Sequence, residues 1–267
     1  MKQAERSAPA AQNPSRAAPG ARLALAALGL LVAGHAWSDR SHPGAADMPA
    51  ADAGWEFKLT PSYYGTTHQK PAFDLNLRAN NGPNAFWIGT YRRGDEFEQT
   101  RAGYELTLAN AYGRLIPSLQ VATHGFYGTA ANLEIGTDTY MLLGAGRTNA
   151  HDYYNLNFDP NDSTVLGLGT RQIADTELLA YNVRDNRLHT GQSVTHLVGR
   201  YHWTDAQRLT LDVFHKRGRE AAGAPLVVGD GVSLTYDHRH YFLRAAYDRK
   251  VNFTADNQLR LAVGLRF

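Results

Sequence analysis

Leu259-Arg260-Leu261-Ala262-Val263-Gly264-Leu265-Arg266-Phe267 closes the sequence. Read with a period of two, Leu259, Leu261, Val263, Leu265 and Phe267 fall on one face, and Arg260, Ala262, Gly264 and Arg266 on the other. A strand sends successive side chains to opposite sides of its sheet. One side here is wholly apolar and the other small or cationic, so the two faces meet different media. Soluble domains more often finish in a frayed polar tail; this alternation runs to an aromatic last residue.

The same alternation recurs from Trp55 onward. Trp55, Phe57, Leu59, Pro61 and Tyr63 oppose Glu56, Lys58, Thr60, Ser62 and Tyr64. Strands over 73–80, 85–93, 97–108 and 114–121 follow, with a turn at Asn81-Gly82-Pro83-Asn84. Pro117 has no backbone donor and marks a bulge or a weak point in its strand. From Leu133 to Ala145 the apolar phase continues through Gly136-Thr137-Asp138, so 132–147 reads as one long strand rather than a hairpin. Further strands are expected over 151–158, 164–171, 176–184, 193–203 and 208–216, then around 232–237, over 241–248 and in the closing segment. The total is about 14 strands, with 12 as the alternative count.

Composition narrows the classes. The 267 residues include no cysteine, which excludes disulfides and thiolate metal sites. The net charge of +2 implies no nucleic-acid partner. Mean hydropathy is −0.42, and no stretch beyond the N-terminal leader has the 18 consecutive apolar residues of a membrane helix. At the N-terminus, Lys2, Arg6, Arg16 and Arg22 precede an apolar run from Leu23 to Gly34. As a helix that run spans about 18 Å, too short for a bilayer. With Gly34-His35-Ala36 behind it, it reads as a secretory signal over 1–36. Residues 37–54 form a flexible periplasmic leader, and 55–267 the folded body.

A closing strand of alternating apolar residues that ends on Phe resembles the final strand of Gram-negative outer-membrane β-barrels. The resemblance implies an all-β fold, a closed antiparallel transmembrane β-barrel. It also implies residence in the outer membrane, contact with its lipid and lipopolysaccharide, and recognition by the barrel-assembly machinery through the strand ending in Phe267. It specifies neither a substrate nor an oligomeric state. With an even strand count and periplasmic termini, loops at 65–71, 159–163, 185–192, 217–228 and 250–256 fall outside. Those at 81–84, 148–151, 172–175, 204–206 and 238–240 fall inside, and 217–228 is the longest loop.

The inner face is rich in charge. Arg78, Arg101, Glu105, Arg114, His196, Arg200, His202, Arg244 and Arg260 are expected to face the lumen and meet a solute. Arg78, Arg101 and Arg114 form one group, and Arg244, Arg260 and Arg266 a second near the closure. Either these make a cationic track that favours anions, or they pair across strands and fill a narrow tube. The histidines lack a tight spacing with carboxylates, so no metal site is assigned. His151-Asp152 and Ser163 fall at opposite barrel ends in this topology, over ~20 Å apart, and no catalytic residue or cofactor is assigned. The best reading is a pore or passive channel for small polar or anionic solutes. The alternatives are an outer-membrane lipid-modifying enzyme and a structural or adhesive barrel with a plugged lumen.

Overall fold

The computed structural model describes residues 54–156 and 159–267. The expected signal peptide and, apart from Gly54, the leader lie outside the described residues. Fourteen antiparallel strands form a single sheet: β1 (Glu56–Thr66), β2 (Ala72–Asn81), β3 (Asn84–Arg93), β4 (Phe97–Leu106, resuming as Leu108–Asn110), β5 (Gly113–Ala122), β6 (Phe126–Ile135) and β7 (Thr139–Thr148), then β8 (Ser163–Ile173), β9 (Thr176–Asp185), β10 (Ser193–Thr204), β11 (Gln207–Gly218), β12 (Val227–His238), β13 (Tyr241–Asp248) and β14 (Gln258–Arg266). Each strand pairs with its neighbours in sequence, and β14 pairs back onto β1, with Leu59 opposite Leu265 and Tyr63 opposite Leu261. At the seam, the Phe57 N–H donates to the Phe267 carbonyl (2.8 Å), and the Phe267 N–H returns the bond (3.0 Å). The sheet is therefore closed and has no open edge.

The alternation read from the closing strand holds in space. Leu261 and Val263 are 45% and 49% exposed, whereas Arg260 and Ala262 are 6% and 5% exposed. The same division repeats around the barrel: Phe73, Leu75 and Leu77 outward against buried Asp74 and Arg78, and Leu166 and Leu168 outward against buried Val165. A continuous apolar outer surface on a closed sheet fits hydrocarbon and nothing else. At one end Trp55, Phe57, Phe86 and Phe267 pack ring against ring, with centroids 5.7–6.2 Å apart in successive pairs. Tyr63 and Phe73 meet at 5.5 Å toward the other end. These are the rim aromatics of a membrane barrel.

Pro117 does interrupt a ladder. Glu105 faces Ser118 and Leu108 faces Leu115, so the register runs unbroken through the gap. What is lost is pairing beside the residue that cannot donate, with no bulge.

Four expectations are corrected. The stretch 132–147 is a hairpin, β6 and β7, turning at Gly136, whose φ is +108°. The turn from Ile135 to Thr139 advances the chain by an even number of residues. Leu133, Ile135, Thr139 and Leu143 therefore all stay on the outer face, and the phase of the pattern cannot reveal the turn. The stretch 151–158 is not a strand: 149–156 and 159–162 belong to a long connection between β7 and β8 that folds into the barrel. The two errors offset each other, which leaves the count at fourteen. Residues 148–151, expected at the periplasmic end, lie at the opposite end. The connection over 149–162, not the one over 219–226, is the longest between strands.

The remaining connections sort cleanly. Those at 82–83, 111–112, 136–138, 174–175, 205–206 and 239–240 are short and share an end with Phe267. Those at 67–71, 94–96, 123–125, 149–162, 186–192, 219–226 and 249–257 lie at the other end and are longer on the whole. Short periplasmic turns and longer external loops are the rule for such barrels, and the ends are named accordingly below. Replacing Leu261 or Val263 by Arg should cost about 2–4 kcal/mol of barrel stability. Ala262→Ser, one residue along and facing inward, should cost less. Denaturant titration of the folded, heat-modifiable species measures both; equal effects would contradict the assignment of faces.

Candidate functional site in the barrel lumen

Inward alternation delivers long charged side chains to the lumen, and they meet there. Arg101 on β4 forks onto Asp74 of β2 at 2.8 and 3.0 Å. Arg78 on β2 reaches Glu105 of β4 at 2.5 Å. Both pairs pass over β3; Gly89, opposite Arg101, leaves the space, since a Cβ there would sit 3.1 Å from the guanidinium. Paired and forked in this way, the buried charges recover part of what they lost in hydration.

A longer chain of alternating charge runs from β5 to β10 near the periplasmic end. Arg114 meets Glu134 at 2.6 Å, and Glu134 meets Arg171 at 3.3 Å. Arg171 meets Glu177 at 3.1 Å, and Glu177 meets Arg200 at 2.7 Å. Tyr140 of β7 fills the remaining place: its hydroxyl donates to Glu177 (2.6 Å), and its ring lies 3.9 Å from the Arg171 guanidinium. Farther round, Asp237 receives Arg208 (3.2 Å) and Arg266 (2.5 Å). On the external side Lys216 and Asp248, both fully buried, pair directly.

Arg78, Arg101, Glu105, Arg114 and Arg200 are therefore lumen-facing and held in ion pairs. The group of Arg78, Arg101 and Arg114 is divided among three separate acids. Arg244 donates to Thr235 (2.9 Å), and Arg260 lies over the Tyr64 ring (5.4 Å) and reaches the Leu156 carbonyl (3.4 Å). His202 stands near the periplasmic mouth opposite Arg208, half-buried and outside these chains.

The external half of the lumen is occupied by the β7–β8 connection, which the sequence reading took for a strand and a turn. Tyr153 stacks on Phe126 at 4.2 Å, and Tyr154 on Tyr91 at 4.7 Å. The Gln99 side chain clamps the Tyr154 main chain, accepting from its N–H (2.8 Å) and donating to its carbonyl (3.1 Å). Asp162 accepts from Thr148 (2.7 Å) and Arg187 (2.8 Å). Asp159 meets His196 Nε2 at 2.9 Å, while His196 Nδ1 meets Asp212 at 3.0 Å. Each ring nitrogen thus faces a carboxylate, which fixes the orientation of the ring. Tyr181 stacks flat on it at 4.5 Å. The sequence carried no signal for this loop: adjacent aromatics like Tyr153 and Tyr154 also occur within strands, as Tyr63 and Tyr64 in β1 and Phe86 and Trp87 in β3.

Several buried polar atoms have no protein partner among the described residues: the hydroxyls of Thr60, Ser62, Ser163 and Thr210, and side-chain amide atoms of Gln120, Asn132 and Asn161. A cavity of about 10 Å³ lies between Asn161 and Ser118, Gln120, Gly128 and Ala130. Polar groups placed so call for water.

The separation of His151 from Ser163 is also corrected, because both lie at the external end. They still do not pair. His151 Nδ1 meets the His124 carbonyl at 3.2 Å, and the buried Ser163 hydroxyl has no partner among the described residues. At the external rim, above the seam, Asp256 accepts from Thr67, His68 and Gln69 at 2.8–3.2 Å. Burial works to raise its carboxyl, but these bonds hold it below the usual carboxylate range.

No protein-family model matches the chain, and no curated protein matches it in sequence. Solved structures do match. The Acinetobacter baumannii outer membrane protein Omp33 is 10% identical with a TM-score of 0.52, over 80% of this chain and 98% of its own. The KdgM porin is 7% identical with a TM-score of 0.45, over 79% and 99%. A Rhodopseudomonas blastica porin variant is 9% identical with a TM-score of 0.46, over 80% and 99%. The likeness to Omp33 is one of fold, the closed outer-membrane-type barrel.

The infolded loop should loosen when its anchor to His196 is cut. Asp159→Asn leaves Asp212 alone against the ring, and breaking a buried pair costs about 3–5 kcal/mol. Hydrogen exchange of the Tyr154 and Leu156 amides should speed up accordingly, with the barrel strands unchanged. Unaltered exchange in the loop would show that Asp159 does not anchor it.

Proposed function

We propose that the protein is an outer-membrane pore, exported by its N-terminal signal, through which small polar solutes pass down their gradients. The observation that carries this is the division of the closed sheet into an apolar outside and a polar inside whose hydroxyls and amides call for water. The fold likeness to Omp33, an outer membrane protein by its printed name, supports the location. In this reading the outer face contacts lipid and lipopolysaccharide, and the assembly machinery engages the closing strand at Phe267. Residues 149–156 and 159–162 narrow the tube from the external side in this reading, so the solutes are small. On the β5–β6 side a gap of about 10 Å³ separates Asn161 of the loop from Ser118 and Ala130, both short and half-buried.

One observation favours a second reading, a plugged barrel with a structural role. Arg101, Glu134, His196 and Lys216 are 8% exposed or less, so much of the lumen is packed. Conductance separates the two. Purified full-length protein in a planar bilayer should give discrete current steps in salt solution, and Ala130→Trp, which adds bulk at that gap, should reduce the step size. A silent membrane containing folded, inserted protein would favour the plug. Recovery of the protein outside the outer-membrane fraction would sink both readings.

A further inference from the structure

At the external end of β7–β11 the outer face of the barrel turns cationic. Arg147 continues the outward series of Leu143 and Ala145 on β7, Arg184 that of Leu178 and Ala180 on β9, and Arg217 that of Leu211 and Val213 on β11. All three are exposed. In the register Ser193 of β10 stands opposite both Arg184 and Arg217. With strands about 4.8 Å apart, the two arginines flank one short hydroxyl side chain at a separation of about 10 Å. The acids nearby are engaged elsewhere. Asp162 is fully buried and lies 3.9 Å from Arg147, but Arg187 holds it at 2.8 Å. Both oxygens of Asp185 accept from residues 187–190. Asp230 on β12 is shared by His215 (2.7 Å) and Arg249 (3.7 Å). Glu220, in the loop after β11, pairs with neither arginine; burial and the charge of Asp256 raise its carboxyl. Among the described residues Arg217 has no acid partner, and Arg184 has only the Asn182 amide oxygen, 2.8 Å from its Nε. On β3 the outward charge is balanced instead, because Arg92 stands opposite Glu98 of β4.

The height of these arginines matches a headgroup layer. Ser193 and Trp203 stand at opposite ends of β10, and Trp203 is an exposed aromatic at the periplasmic rim. At about 3.4 Å per residue and a tilt of about 40°, that stretch rises about 25 Å along the membrane normal, the height of the apolar band of such barrels. Farther down the same strands Ala180, Leu197 and Val213 lie level with one another on the outer face. An anion bound by Arg184 and Arg217 therefore has acyl chains beneath it. Guanidinium groups offer paired N–H donors that match two oxygens of a phosphate. We propose that Arg184 and Arg217, with Ser193 between them and Arg147 beside them, bind a phosphate on the headgroup of an outer-leaflet glycolipid. The proposal rests on the outer-membrane part of the proposed function and not on the pore.

The test titrates bisphosphorylated lipid A into purified full-length protein in detergent and follows lipid adducts by native mass spectrometry. Each protein is first shown to migrate as a folded, heat-modifiable barrel. The wild type should bind the phosphorylated lipid about tenfold more tightly than the same glycolipid stripped of its phosphates. The double variant Arg184→Gln, Arg217→Gln should lose about tenfold in affinity for the phosphorylated form. Ser193→Glu, which sets an acid between the two arginines, should weaken binding in the same direction. Arg92→Gln, from the balanced sector, should change it by less than about twofold. Binding that ignores the phosphates overturns the site. So does affinity left unchanged by both the double variant and Ser193→Glu, or an equal loss in Arg92→Gln. Displacement of the lipid by equimolar inorganic phosphate would assign the arginines to a soluble anion and overturn the lipid. Recovery of the wild type outside the outer-membrane fraction of cells is a separate failure: it sinks the location, and with it a glycolipid as the occupant, whatever the titration shows.

Discussion

The structure depends on the bond between its first and last strands. In hydrocarbon no water is available to satisfy a peptide group, so every N–H and C=O must find a partner within the protein. A sheet meets that demand only by closing on itself. Here the closure is made by β1 and β14, with reciprocal hydrogen bonds between Phe57 and Phe267 at one rim. The seam is reinforced at both ends by different means: stacked aromatics on the periplasmic side, and the Asp256 clasp onto Thr67, His68 and Gln69 on the external side. Once the sheet is closed, inside and outside are fixed for every strand, and the period-two pattern becomes a division between oil and water.

Closure also creates a problem. A fourteen-stranded tube is wider than single rows of side chains can fill. The chain answers with long residues and with a loop. Arginines reach across intervening strands to acids, and Tyr140 and Trp87 lie across the wall where their neighbours are small. The β7–β8 connection supplies a second inner layer in the external half, tied to the wall at β3, β4, β10 and β14. The periplasmic half has no such layer among the described residues, and there the wall charges themselves line the lumen. The external level is thus filled by a loop held at His196, and the periplasmic level is lined by paired charges.

The pairing within the lumen has a further consequence. Chains of alternating charge hold several strands together through their side chains, over and above the backbone ladder. Arg171 touches acids from β6 and β9 while stacking on a ring from β7. Beside β4 and β5 the ladder is interrupted at Pro117, and the Arg101–Asp74 and Arg78–Glu105 pairs tie β4 to β2 next to that gap.

The sequence by itself determined which residues face oil, because a strand's side-chain period is fixed by its own backbone; closure came from the resemblance of the last strand, and the count of fourteen from two misread stretches that offset each other. The sequence also placed Arg78, Arg101, Glu105, Arg114 and Arg200 inside. Only the tertiary structure decided the rest. The hairpin at 136–138 was hidden because a turn of even advance preserves phase. The lumen loop was hidden because Tyr153, Leu156 and the turn residues after them are as compatible with a strand and a tight turn as with an inner layer. Its true partners, Tyr91, Gln99, His196 and Arg260, lie on strands remote in sequence. The ion pairs were unreadable for the same reason. Which arginine meets which acid depends on register and on reach across an intervening strand, and a local pattern carries neither.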